Sequence, residues 1–321
     1  MRRLVLMLPL ALACKPNLGS PPSIVEGPRI LAVRGLPAEA AENTPVTYDV
    51  LAVDETGRIA TPTIGWYQCD KRKPPADGNA VAAACLDPMD ETTGPTFTGD
   101  MPDGACKRFG PQPDVDEKMN PIRPRDPDVT GGFYQPVRAT LTTSAGDATA
   151  FALERIKCRL TGASPEATGL FNDMYKVNDN PTITSLVLDP DNDPVTLFAR
   201  APQAPAPAAP TTPVISVGAN GGSTLALSWS ADSAEAFPVW NVEKQQLDPH
   251  HEAISVSWYA TAGSFDHDRT GVSETDFATV TTANRWVSPT VVEKTQVHLW
   301  VVVRDSRGGV DFAETLVEVV P

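Results

Sequence analysis

Val256-Ser-Trp-Tyr259 and, far upstream, Ile64-Gly-Trp-Tyr67 decide the fold of this chain. In each, a β-branched residue and a Trp stand two positions apart. Side chains alternate across a strand, so each pair shares one face. A buried Trp contributes about 150–250 Å² and can organise a small core. Around each Trp the sequence repeats one grammar of short alternating segments and turns. Pro28-Arg-Ile-Leu-Ala-Val33 answers Pro181-Thr-Ile-Thr-Ser-Leu186, each just after a break. Pro45–Val53, Gln135–Thr143 and Ala148–Cys158 read as further strands of the first half. The turn Ser144-Ala-Gly-Asp147 makes the last two a hairpin. Thr182–Leu188, Ser223–Trp229, Ala253–Tyr259, Gln296–Val303 and Gly309–Val319 read as strands of the second. Asp305-Ser-Arg-Gly-Gly309 turns the last pair into a hairpin. With 32 Pro and 22 Gly in 321 residues, strands and turns are favoured over long helices. The expectation is an all-β chain of two tandem antiparallel sandwiches.

The second half resembles bacterial immunoglobulin-like and PKD-type modules of surface proteins. Val256–Phe265, Asn284-Arg-Trp-Val-Ser-Pro289 and Val301–Val310 carry the likeness: a Trp strand, a middle Trp-x-x-Pro segment and a Val-rich strand ending in Asp-x-x-Gly-Gly. It extends weakly to 28–69 and 133–160. It implies an immunoglobulin-like fold and a spacer or adhesion role, and it carries over no catalytic residue.

Residues 70–132 interrupt the first half. They are rich in Pro, Asp, Gly and Ala, without periodicity, and read as a long loop insertion. Ser164–Tyr175 is the helix candidate, with Ser164 as N-cap, Pro165 first in the helix and Glu166 near its positive end. The domain plan is therefore signal 1–13, tether 14–27, first sandwich 28–163, helix and linker 164–180, second sandwich 181–321.

The N-terminus gives an address. Met1-Arg-Arg3, an apolar run to Ala13 and then Cys14 have the layout of a secretory signal. The run is too short to span a bilayer, which takes roughly 20 residues. Leu10-Ala-Leu-Ala-Cys14 resembles the lipobox of bacterial lipoproteins, with Ala11 where Leu is usual. The resemblance implies cleavage before Cys14, acylation of that Cys and stable anchoring. Lys15 stands where an Asp retains such proteins in the inner membrane, so the implied location is the outer membrane.

The chain carries a formal charge of −14, and loses two Arg and no acid with the signal. Acidity of this size repels phosphate backbones and argues against nucleic acid as partner. Of five Cys, Cys14 is taken by lipid. Cys69, Cys85, Cys106 and Cys158 remain, and an exported chain oxidises them. Three pairings are open; the one chosen is Cys69–Cys85, closing a short loop, with Cys106–Cys158 tying the insertion to a strand. A Cys₄ zinc site competes, but no Cys-x₂-Cys pair is present.

Chemistry-bearing candidates are few. Asn178-Asp-Asn-Pro181 resembles the cadherin linker, which binds calcium between domains, and Asp189, Asp191 and Asp193 follow. Hard oxygen ligands at alternate positions suit Ca²⁺ through Asp179, Asp189, Asp191 and Asp193. The competing reading is Asx turns that cap their own backbone. Lys176 also departs from the cadherin pattern. Trp66, Tyr67, Phe133 and Tyr134 beside the insertion are candidates for carbohydrate or peptide binding; the alternative is that they are core. His250-His251 and Asp266-His267-Asp268 read as solvated loop, and His298 as a strand residue. No nucleophile, zinc-protease or phosphate-loop motif is present. Paired insertion acids such as Asp87, Asp90 and Glu91 keep a hydrolase as a third reading. The favoured function is a non-enzymatic structural or protein-binding module of the envelope, with no cofactor beyond possible calcium and another envelope protein as partner.

Overall fold

The computed structural model describes residues 20–69, 71, 81–88, 90–108, 110, 114–122, 129–144, 146–160, 162–189, 191–201 and 209–321. Cys14 and its lipobox lie outside the described residues.

The first sandwich begins with β1 (Arg29–Leu36), β2 (Glu39–Ala40), β3 (Pro45–Asp54), β4 (Gly57–Arg58) and β5 (Ile64–Gln68). β6 (Thr92–Gly94), β7 (Phe97–Asp100), the single turn α1 (Ala105–Arg108), β8 (Gly132–Thr143) and β9 (Gly146–Lys157) complete it. One sheet is β1-β3-β4 with β7 added to β3; the other runs β2-β9-β8-β5-β6. β6 and β7 fall inside 70–132, so this segment is more than a loop. It supplies one strand to each sheet. Three and four residues are too short to show alternation, and their Thr-rich faces are half exposed. Trp66 sits at the centre of the core with Tyr48 and Phe97 around it.

Helix α2 (Pro165–Met174) follows, and the Ser164 Oγ accepts from Ala167 N at 3.2 Å. That bond satisfies one of the helix's free N–H groups.

The second sandwich comprises β10 (Ile183–Leu188), β11 (Val195–Ala199), β12 (Ile215–Gly218), β13 (Gly222–Trp229), β14 (Ala236–Asn241), β15 (Gln246–His251) and β16 (Ile254–Ala260). It ends with β17 (Ser264–Phe265), β18 (Arg269–Val272), β19 (Thr281–Val287), β20 (Thr295–Asp305) and β21 (Val310–Val320). Its sheets run β11-β10-β13-β19-β17 and β12-β21-β20-β16-β18. Trp258 and Trp286 face each other's sheets in one core.

The two halves share a topology. β2 joins β9 in parallel as β12 joins β21, and the sheet then continues β8-β5-β6 as β20-β16-β18. The opposing sheets are β1-β3-β7 and β10-β13-β19. Each half is an immunoglobulin-like sandwich whose Trp lies on the inner strand next to the sheet edge, β5 in the first and β16 in the second. The β14–β15 hairpin is an addition to this plan, and its Trp240 packs on Leu160 and Phe171 of the first half.

The sandwiches lie side by side along β1 and β20–β21. Leu31, Ala32, Leu51 and Val53 meet Trp300, Val302, Val310 and Phe312 in a dry cluster. Each such side chain contributes about 1.5–3 kcal/mol when fully buried. Near one end of this seam the turn at Gly57 presses on the second sandwich. Gly57 has φ +126°, and a Cβ there would stand 2.5 Å from His298 Cε1. The expected consequence is one cooperative unfolding transition for the whole chain. Trp300→Ala should split it into two in calorimetry, whereas Trp258→Ala should lower the stability of the second sandwich by about 3–5 kcal/mol.

Candidate functional site

The most highly built polar site is buried between the sandwiches. It centres on Arg307, in the turn between β20 and β21, whose side chain is 2% exposed. Its Nε donates to Glu252 Oε1 at 2.5 Å, its Nη2 to Glu235 Oε2 at 2.7 Å, and its Nη1 to the Lys176 carbonyl at 2.8 Å. Glu39 of the first sandwich stands 3.9 Å from Nη1 and 3.6 Å from Arg155 Nε. Glu39 also accepts from Asn178 N at 2.8 Å and from the Tyr175 hydroxyl. Lys176 Nζ pairs with Glu235 Oε1 at 3.0 Å. Asp305 accepts from the backbone N–H of Arg307 and Gly309, each at 2.9 Å. One guanidinium thus ties the first sandwich, the linker and the second sandwich together.

A second set repeats the device. Asp311 accepts from Ile183 N at 2.9 Å, from Arg34 Nη1 at 3.1 Å and from Arg200 Nη2. Arg34 reaches it from the first sandwich and also pairs with Asp49 at 2.6 Å. These are charge-assisted bonds in a dry site, where loss of one partner costs far more than the pair gains.

Burial and the nearby Asp305 raise Glu252 above the carboxylate range, and burial raises Asp305. Glu154, beside Gly35, is pushed up to about 9 by burial and by the charge of Glu39. Glu154 Oε1 has no hydrogen-bond partner among the described residues. Its folded form holds a proton that the unfolded chain releases from the ordinary value of 4.5. Its contribution to stability is therefore complete below that value and is lost as pH rises through about 9.

The sequence candidates fare differently. The structure pairs Cys69 with Cys85 and Cys106 with Cys158. Trp66 is 1% exposed and is core, so it is no binding platform. Its period-two partnership with Ile64 demands that position. Tyr67 is half-buried against the Cys69–Cys85 cluster, Phe133 packs on the first core, and Tyr134 lies under Arg155 with the guanidinium carbon 5.4 Å from the ring centre.

The four aspartates are not brought together. Asp179 precedes β10 and Asp189 follows it, at opposite ends of that strand. Asp189 Oδ1 instead accepts from Thr224 N at 2.7 Å. Among the described residues no group of three or more His, Cys, Asp or Glu could hold a metal ion. The linker's polar side chains hold backbone instead. Asn180 Nδ2 donates to the Gly35 carbonyl at 2.8 Å and its Oδ1 accepts from Val310 N at 2.7 Å. His250 and His251 lie on β15 rather than in a loop. His250 Nδ1 faces Glu274 at 3.0 Å and the His251 ring stacks on Phe277 at 3.6 Å. His298 Nδ1 faces Glu314 at 2.8 Å.

The outward-facing candidate surface belongs to the insertion. Residues 114–122 form a small braced knob. The Asp116 carboxylate accepts from Lys118 N and Asn120 N at 2.9 and 2.8 Å, and Ile122 N donates to the Asp114 carbonyl at 2.9 Å. Met119 sits at φ 63°. The brace presents Met119 and Ile122 at 76% and 66% exposure. Beside it, over the Cys106–Cys158 bond, an open groove of about 690 Å³ is lined by Glu42, Asn43, Lys157, Arg159, Thr168 and Asn172. Sequence reading missed both Arg307 and the knob. Each sits in a turn-like stretch where charge and isolated apolar residues ordinarily face solvent.

No protein-family model and no curated protein sequence matches the chain. Among solved structures, the D00-D0 domain of intimin is similar at 9% identity and a TM-score of 0.24, covering 88% of this chain and 95% of that one. The I67–I69 fragment of titin is similar at 11% identity and 0.20, covering 92% and 64%. The adhesin InvE of Yersinia pseudotuberculosis is similar at 7% identity and 0.23, covering 89% and 58%. Scores this low carry no functional argument, and the immunoglobulin-like assignment rests on the chain's own strand order.

Two outcomes follow from the buried groups. Arg307→Met should destabilise the protein by about 3–5 kcal/mol, because Glu235 and Glu252 lose their shared cation in a dry site; denaturant unfolding reads this directly. Glu154→Gln should weaken the fall in stability between about pH 5 and pH 9, measured as the midpoint of unfolding against pH.

Proposed function

We propose that this chain is a non-enzymatic structural or protein-binding module of the cell envelope, held at the outer membrane by lipid on Cys14. The observation that carries the reading is the Arg307 lock. Two sandwiches joined by a buried guanidinium, three carboxylates and a dry apolar seam form a stiff support. Domain pairs of this kind present a surface at a fixed place. The surface presented is the knob. Apolar side chains held out on a braced turn suit insertion into a partner's pocket. The acids Asp114, Asp116 and Glu117 around them favour a basic rim on that partner.

The anchor is supported by the lipobox resemblance at Leu10–Cys14. The oxidising compartment it implies accords with the two disulfides. Cys14→Ser should move the protein from the membrane to the soluble fraction. A photo-reactive residue at Met119 should crosslink reproducibly to one envelope protein in intact cells, and Ile122→Asp should abolish that product without changing the melting temperature. Crosslinks only within the chain, or only to glycan, would remove the protein-binding reading.

A further inference from the structure

We propose that residues 20–27 are a strap that fixes which pole of the protein faces the lipid surface. The inference rests on the anchoring of Cys14 proposed above.

The segment read from sequence as a tether is, from Ser20 onward, part of the fold. It leaves the first sandwich and docks on the second. Val25 N donates to the Ala260 carbonyl at 2.9 Å and Ala260 N donates to the Ser23 carbonyl at 2.9 Å. This places Ile24 beside Ala260 as a parallel bridge at the end of β16, beyond the point where β18 stops pairing. Val25 is fully buried in the seam cluster with Trp300 and Phe312. Arg29 Nη1 donates to the Pro22 carbonyl at 2.8 Å, and its guanidinium carbon lies 5.8 Å from the centre of the Tyr259 ring. Ser20 Oγ donates to Glu26 at 2.5 Å, closing the strap on itself. Residues 20–26 are thus clamped by both sandwiches.

Only six residue steps separate Ser20 from Cys14, a reach of about 20 Å when fully extended. The body is therefore held close to the lipid, by the corner where β16 ends. Strand directions identify what shares that corner. β20 starts there, so the turn before it, with Val292 at 95% exposure, lies on the same pole. β1 starts and β3 ends there, so the Asp54–Gly57 turn joins it, against His298. The opposite pole holds the ends of β5 and β9, both disulfides, α2 and the β14–β15 hairpin. β8 and β9 alone, at twelve residues each, set the poles about 40 Å apart. The strap pole faces the lipid, and the Cys106–Cys158 bond with α1, whose Lys107 pairs with Asp114 of the knob at 3.5 Å, lies on the far pole, toward partners. An acidic chain gains nothing by adsorbing to anionic headgroups, so the orientation comes from the strap and should not depend on salt.

The test uses the lipidated full chain in phosphatidylethanolamine–phosphatidylglycerol vesicles with an acceptor dye on the headgroups. A donor dye is placed through p-azidophenylalanine at Glu55 on the strap pole or at Asp173 on α2. Energy transfer from position 55 should exceed that from 173 at least threefold, at low and high salt alike. Val25→Asp should reduce the difference to near unity while the protein still floats with vesicles. Should that variant lose its folded circular dichroism, Arg29→Gln tests the same clamp from the surface and should narrow the difference. Equal transfer from both positions in the native, vesicle-bound protein would overturn the inference alone. Protein that is not acylated and does not float overturns the anchoring reading and the inference with it.

Discussion

The Arg307 side chain is 2% exposed, and a charge buried that deeply has to be matched by carboxylates wherever the fold places it. Those carboxylates come from separate parts of the chain: Glu39 at the first sandwich, Glu235 and Glu252 at the two ends of the added hairpin. The linker supplies the Lys176 carbonyl. Arg307 meets its full set of partners only when all of these parts are in place. The relative position of the sandwiches is therefore a condition for burying the charge, and the apolar seam of Trp300, Val302 and Phe312 supplies the drive that makes the burial possible. Buried ion pairs commonly contribute specificity more than net stability. Here the specificity is the fixed angle between two modules that could otherwise hinge.

Much of the fold was legible because strands bury one face. Ile64 with Trp66 and Val256 with Trp258 stand at period two, and both strands are inner strands of their sheets with a neighbour on each side. Ser164-Pro165 announces a helix start through a cap that needs only local geometry. What escaped reading was set by distant partners. β6 and β7 are too short to alternate, and they exist because β5 and β3 offer them edges. Arg307 looks like a turn residue, since Asp305-Ser-Arg-Gly-Gly309 is a turn, and nothing near it in sequence says that three acids converge there. The linker Asn178-Asp-Asn180 resembles a calcium linker because amides and carboxylates serve metals and backbones alike; the fold uses Asn180 on the backbone of Gly35 and Val310. Trp66, beside an insertion rich in polar residues, reads equally as a ligand platform or as core, and burial makes it core.

The molecule has two unlike poles. At one, the strap joins the sandwiches with ordinary strand hydrogen bonds and a buried Val. At the other lie the Arg307 site, the linker, α2, the hairpin and both disulfides. The same seam that dries Arg307 also holds Val25, so the strap and the lock support one rigid arrangement.

That arrangement is tested most directly by the distance distribution between spin labels introduced as non-natural amino acids at Asp147 in the first sandwich and Asp266 in the second, measured by pulsed electron resonance in frozen solution. The account predicts a single narrow distribution that broadens in Arg307→Met. A broad or two-peaked distribution in the unaltered chain would contradict it.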